Sequence, residues 1–214
     1  MRRGSRKFKK VAVLKGGPSA ERDVSLRSGA AVAAGLRQAG YEVSEIDITG
    51  HSVNLPAGVE AVFVALHGEF GEDGRVQRIL EAKGIPYTGS GPGASAAAFD
   101  KRRAKEALLK AHVPTPAYEV LKRGDSRKLP LPVVVKPPCQ GSSLGVYRVF
   151  RRSQWNAAAR GAFKYDDEIL VEKYIKGREL TVGIVGDTVL PVVEIKARAG
   201  WYSFNAKYGS RDTR

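Results

Sequence analysis

Apolar positions along the chain fall into short blocks punctuated by glycine, and the period inside each block separates strand from helix. KVAVLK, residues 10–15, is a β-branched block that stops at Gly16-Gly17, the pattern of a buried strand entering a turn. Over Val24–Gln38 the period becomes helical, with Val24, Ser28, Ala31, Val32 and Leu36 on one face, and Gly40 stands where such a helix ends. Tyr41–Ile48 and VEAVFVAL (59–66) predict two more strands, and Gly74–Lys83 a short helix closed by Gly84. Strand alternating with helix predicts a parallel sheet with covering helices. GSGPG, residues 89–93, breaks this composition and predicts a hinge. It imitates a dinucleotide fingerprint, but no good strand precedes it and no acidic residue follows at the required distance. Beyond it the pattern predicts one helix from about Ala94 to Ala111, stopped by Pro114-Thr115-Pro116. Strands follow at Leu131–Lys136, Gly145–Phe150 and Glu168–Tyr174, with a helix over Ser153–Phe163. A hairpin of Glu179–Val185 and Thr188–Ile195 turns at Gly186-Asp187. This second half reads as an antiparallel sheet with helices on one side, and Lys196–Arg214 carries no periodicity.

Composition bounds the picture without changing it. The 214 residues are 43% hydrophobic and 27% charged, an ordinary globular profile with room for a sizeable core. No apolar run approaches the ~20 residues of a membrane span, and the basic start, Met1–Lys10, lacks the apolar region of a secretory signal. One cysteine, Cys139, forms no internal disulfide, which fits the reducing cytoplasm. The net charge of +14 raises nucleic acid as a partner, but the lysines and arginines are spread along the chain with no recognition motif. The expectation is no nucleic acid and no membrane.

Five stretches could carry chemistry. GGPSAERDVSL (16–26) lets backbone approach a ligand after a strand and offers a helix start to anions, with Glu21 able to hold an ammonium; a surface glutamate on a plain turn is the ordinary alternative. ALHGEFGEDG (65–74) puts His67 at the carboxyl edge of a buried strand, where open parallel sheets bind ligands. The nearby Glu69, Glu72 and Asp73 make only a weak metal signal. VVVKPPCQGSSLGVYRV (133–149) flanks two glycines and two serines with strands, so that amides and hydroxyls can face phosphate oxygens, and Lys136 adds a cation. A P-loop pattern is absent. EILVEKYIKGRELTV (168–182) could offer a strand edge to a flat base, Glu172 to an exocyclic amine and Glu179 to sugar hydroxyls. NAKY (205–208) could form a lid over phosphates or an irregular end.

Taken in order, GGPSAERDVSL, LHGEFGEDG, the FDK of Phe99–Lys101, VVKPPCQGSSLGV, ILVEKYIKGREL and FNAKY resemble the D-alanine–D-alanine ligases over residues 9–214. The resemblance implies an α/β fold: an N-terminal parallel-sheet, Rossmann-like (pre-ATP-grasp) domain over 1–92, then an incomplete ATP-grasp fold. The latter would comprise a central subdomain over 93–175 and the start of a C-terminal one over 176–214. It also implies roles. Glu21, with Ser142 and Tyr208, would form the catalytic hydrogen-bonded set around the first D-alanine, and Val24 and His67 would line that pocket. Lys101 and Lys136 would contact the nucleotide, Lys136 towards the phosphates, Gly141, Ser142 and Ser143 would belong to the loop over the phosphates, and Lys207 would reach the γ-phosphate. Glu172, with the backbone of Lys173 and Ile175, would take the adenine, and Glu179 the ribose. The implied substrates are ATP and D-alanine, the implied assembly a cytoplasmic homodimer serving peptidoglycan synthesis. The ligands for Mg²⁺ (or Mn²⁺) would lie beyond residue 214, so this chain alone is expected to show little ligase activity. A non-catalytic nucleotide-binding module is the alternative from another class.

Overall fold

The structure, a computed structural model, describes residues 8–196. It divides into two units, residues 1–113 and 114–214.

In the first unit, strand β1 (Lys10–Gly16) lies between β2 (Glu42–Ile48) and β3 (Ala61–Val64), all parallel, with Ala12 opposite Ser44 on one side and Val62 on the other. Ala12, Val13 and Leu14 have no exposed surface, as expected of a strand covered on both faces. One face packs Leu14, Ile48, Val62, Leu66, Phe70, Val76 and Leu80. On the other, helix α1 (Arg22–Gln38) lays Ser25, Gly29 and Ala33 on the sheet. This differs from the face read off the sequence: Val24, Ser28, Val32 and Leu36 are half-buried and Ala31 is exposed. Small residues win because the helix runs close to β1; a Cβ at Gly29 would stand 2.5 Å from that of Lys15. Ser25 keeps its hydroxyl satisfied there by donating to the Ala65 carbonyl at 2.7 Å.

Helix α2 (Arg75–Ala82) begins after Gly74, whose φ is +90°. Asp73 organises this entrance. Its carboxylate accepts from the amides of Phe70 and Arg75, at 2.8 and 3.0 Å, and from the Arg75 guanidinium. Burial pushes the Asp73 pKa up, but the Arg75 hydrogen bond and the two amides together outweigh it and hold the group below the usual carboxylate value. A carboxylate depressed in the folded state stabilises above its unfolded pKa of about 3.9 and loses that contribution as pH falls through the folded value. Asp73→Asn should therefore cost about 1–2 kcal/mol at pH 7. Urea melts at stepped pH should show the gap from the parent closing below about pH 4.

The single helix expected over 94–111 is two: α3 (Pro92–Phe99) and α4 (Lys101–Lys110). Asp100 breaks them apart, its extended backbone capping α4 while its carboxylate accepts from the Arg102 amide at 3.0 Å. The GSGPG glycines lie inside the first unit, Gly89 and Gly91 before α3 and Gly93 within it.

The second unit is built on a four-stranded sheet in the order β4-β7-β5-β6. Its strands are β4 (Tyr118–Lys122), β5 (Val133–Lys136), β6 (Tyr147–Val149) and β7 (Glu168–Lys173), all paired antiparallel. Helix α5 (Arg152–Ala162) covers one face, with Ala158 and Ala162 against Val133, Val135, Val149, Ile169 and Val171. Strand β4 has no counterpart in the sequence reading. The hairpin expected over 179–195 is present, its two arms paired antiparallel across Gly186-Asp187, with the pairing interrupted so that it falls into two two-stranded pieces. Strand β8 (Glu179–Thr181) pairs with β11 (Val193–Ile195), and β9 (Ile184–Val185) with β10 (Thr188–Val189). Gly186 turns between the latter at φ +58°. No described helix is long and apolar enough to cross a membrane.

Candidate functional site

The candidate residues fall into one group in each unit. In the first, β1 ends at Gly16 and Gly17, both in the left-handed region, at φ +83° and +90°. A side chain at Gly16 would overlap Asp47 and Arg22, which pair at 2.7 Å and tie the start of α1 to the end of β2. Ser19 fastens the turn to the next loop by donating to the His67 carbonyl at 2.7 Å, while its oxygen accepts from the Glu21 amide at 3.1 Å. Glu21, the residue before α1, is only 6% exposed. Its carboxylate lies against Gly68, where a Cβ would stand 2.8 Å from Oε2, and Gly68 takes φ +66°. A glycine is required there by both conformation and space.

His67, half-buried just past β3, faces two elements. Its Nε2 lies 3.1 Å from Ser28 Oγ on α1, and its Nδ1 3.6 Å from the Glu72 carboxylate in its own loop. Glu72 raises its pKa, burial opposes, and the fields of Glu72 and Glu21 add to the rise. Val24 is half-buried one helical position from the buried Ser25. Lys101 starts α4 and is half-buried in the same unit. The loop carboxylates pair with Arg75, Glu69 at 2.9 Å and Asp73 also, and Glu69 lies 3.7 Å from the His51 ring.

In the second unit, Lys136 ends β5 and Glu172 lies on the adjacent β7, and their side chains form an ion pair with little exposure. The chain leaving β5 enters a tight turn in which Ser142 and Ser143 both have positive φ, +49° and +63°. The turn closes with the Leu144 amide donating to the Gly141 carbonyl at 3.0 Å. Two consecutive left-handed serines cost energy of order 1 kcal/mol each, and such conformations concentrate where a loop must aim its amides. Gly145 closes the turn against Tyr165 and Pro137. The Lys173 amide donates to the Ala117 carbonyl at 2.9 Å, so toward a ligand it would contribute its carbonyl alone. Ile175 and Glu179 are exposed. Lys207 and Tyr208 lie outside the described residues.

Among the described residues no three His, Cys, Asp or Glu side chains converge as a metal cage. Residues missed from sequence are Ser19, Arg22, Ser28 and Asp47. Ser19 and Arg22, both inside the motif GGPSAERDVSL, carried a signal that could have marked them.

A family model described as "D-ala D-ala ligase C-terminus" matches residues 107–214, half of the chain, and one described as "D-ala D-ala ligase N-terminus" matches residues 50–90. The chain is 49% identical over 209 residues to the D-alanine–D-alanine ligase of Geotalea uraniireducens, spanning 94% of this chain and 67% of that protein. The chain belongs to the D-alanine–D-alanine ligase family. The enzyme of that name from Methylacidiphilum infernorum is 46% identical over 200 residues, of which this chain spans 65%. The crystal structure of the D-alanine–D-alanine ligase from Bacillus anthracis complexed with ATP superposes with a TM-score of 0.77 at 31% identity, over 89% of this chain and 67% of that one. The chain therefore spans about two thirds of the length of the family members it matches, and its fold is theirs, an ATP-grasp fold preceded by a parallel-sheet unit.

Proposed function

We propose that this chain serves the ATP-dependent condensation of two D-alanines into D-alanyl-D-alanine for peptidoglycan precursors. A free carboxylate is a poor electrophile. In this reading the γ-phosphoryl group of ATP passes to the carboxylate oxygen of the first D-alanine, giving an acyl phosphate and ADP. The amine of the second D-alanine adds to that carbonyl, and phosphate leaves as the peptide bond forms and the amine loses its proton. Little covalent work falls to the protein, so positioning and neutralisation of phosphoryl charge dominate.

The observation that carries the reading is the Lys136–Glu172 pair beside the left-handed serine turn. Lys136 pairs with Glu172 Oε2, Glu172 is the proposed partner of the adenine amino group, and the amides of residues 141–143 are the proposed cradle for phosphate oxygens. Glu21, buried yet placed at the carboxyl edge of β1, is the proposed anchor for the ammonium of the first D-alanine, with Val24 and His67 beside it. Ser142 and Tyr208 complete the proposed catalytic set, Lys101 is a further proposed nucleotide contact, and Lys207 is the proposed γ-phosphate contact. The same reading takes the protein as a cytoplasmic homodimer whose small-molecule partners are ATP and D-alanine.

Calorimetric titration with a non-hydrolysable ATP analogue tests it. One analogue should bind per chain, and Glu172→Ala or Lys136→Ala should each weaken binding at least ~10-fold, the cost of a charge-assisted hydrogen bond. No heat with the parent chain would sink the proposal. Analogue binding with no D-alanine-dependent ADP release from a version that carries the family's C-terminal part would favour the non-catalytic nucleotide module instead.

A further inference from the structure

Among the described residues, the groups facing His67 are Ser28 and Glu21 from α1 and its entry, Glu72 from the loop, and Ser19 on its carbonyl. The proton arrangement follows from counting donors. Ser28 Oγ has one proton and stands 2.9 Å from the Val24 carbonyl and 3.2 Å from that of Ser25, both of which can only accept. With its proton committed to these helix carbonyls, the hydroxyl offers lone pairs to His67 Nε2 at 3.1 Å. Nε2 must then carry hydrogen. A neutral ring with hydrogen on Nε2 would turn a bare Nδ1 toward the Glu72 carboxylate, acceptor against acceptor; a proton on Nδ1 converts that into a charge-assisted contact.

We infer that Ser28 and Glu72 are positioning residues that hold His67 as a doubly protonated imidazolium, a donor at both nitrogens rather than a base. The role at an amino-acid site rests on the function proposed above; the protonation state rests on the first unit alone. Beside the buried Glu21 carboxylate, the imidazolium gives this edge one fixed negative and one fixed positive charge, the complement of an amino-acid zwitterion. A His67 pKa raised on folding also has a stability consequence. Its contribution is fully present below the unfolded value of about 6.5 and is lost as pH rises through the folded one.

The test is an NMR titration of the ring carbons in the parent chain, Ser28→Ala and Glu72→Gln. There are three histidines to assign, with His67→Gln identifying the signal and His112 as internal reference. The parent His67 midpoint should lie above about 6.5. Glu72→Gln should lower it by about one pH unit, the effect of removing a nearby opposite charge. Ser28→Ala separates the two hydroxyl arrangements. Loss of an acceptor lowers the midpoint, as expected here, whereas loss of a donor to a neutral ring would raise it and overturn the inference. A parent midpoint at or below about 6.5 would overturn it as well. Backbone amide spectra of the variants establish that the fold persists. Failure of the ATP titration would remove the amino-acid site and leave the protonation result standing.

Discussion

Gly74→Ala is expected to lower the stability of the first unit by about 3 kcal/mol, roughly 10 °C in Tm. The residue sits at φ +90°, a conformation that strains any side chain. Its new Cβ would also overlap the carbonyl oxygen of Pro92, the first residue of α3. That neighbour is backbone, so relief requires moving a helix terminus. Asp73 cannot relax in compensation, because its carboxylate holds Phe70 and Arg75 on either side. Gly93→Ala is the matched control: it lies within α3, nothing stands within 4 Å of its Cβ, and it should be neutral or slightly stabilising. Thermal melts of the two variants beside the parent make the comparison, and similar melting temperatures for the pair would remove the packing argument.

Lys136→Met should cost about 3 kcal/mol in the second unit, because it removes the cation paired with the Glu172 carboxylate, 9% exposed on the sheet face opposite Val133, Val135 and Val171. The double variant Lys136→Met, Glu172→Gln should recover most of that loss, since a neutral amide no longer demands a counter-charge. Urea midpoints of the two singles and the double complete the cycle. If the double is no more stable than Lys136→Met, the pair is not what holds this end of β5 to β7. Nucleotide affinity should fall in all three, so stability and binding report separate contributions from the same two residues.

The parallel sheet was legible because its strands are short β-branched runs between glycines, and a strand buried on both faces leaves that signature in one sequence. The α1 face was misjudged for an equally physical reason. Periodicity favours the larger apolar residues Val24, Val32 and Leu36, whereas close packing on Lys15 selects Ser25, Gly29 and Ala33. The break at Asp100 hid in an unbroken helical period because alanine-rich sequence suits one long helix, and only the cap geometry divides it. Strand β4 was missed since Pro116 and Gly124 crowd a five-residue run whose partner, β7, lies some fifty positions away. In the site, Glu21, His67, Lys136 and the serine turn were readable as motifs. The Ser28 contact to His67 was not, because it joins a helix position to a loop 39 residues later and neither residue type announces the other.

The central place of β1 has a consequence for synthesis on the ribosome. The middle strand of the first sheet emerges before both of its neighbours, Glu42–Ile48 and then Ala61–Val64. Until the second of them clears the exit tunnel, Ala12–Leu14, wholly hidden in the finished protein, stays a naked hydrophobic ribbon with hydrogen-bonding edges on both sides. A nascent chain paused before residue 64 should therefore cling to holding chaperones, and one paused after the helix that ends at Ala82 should let them go.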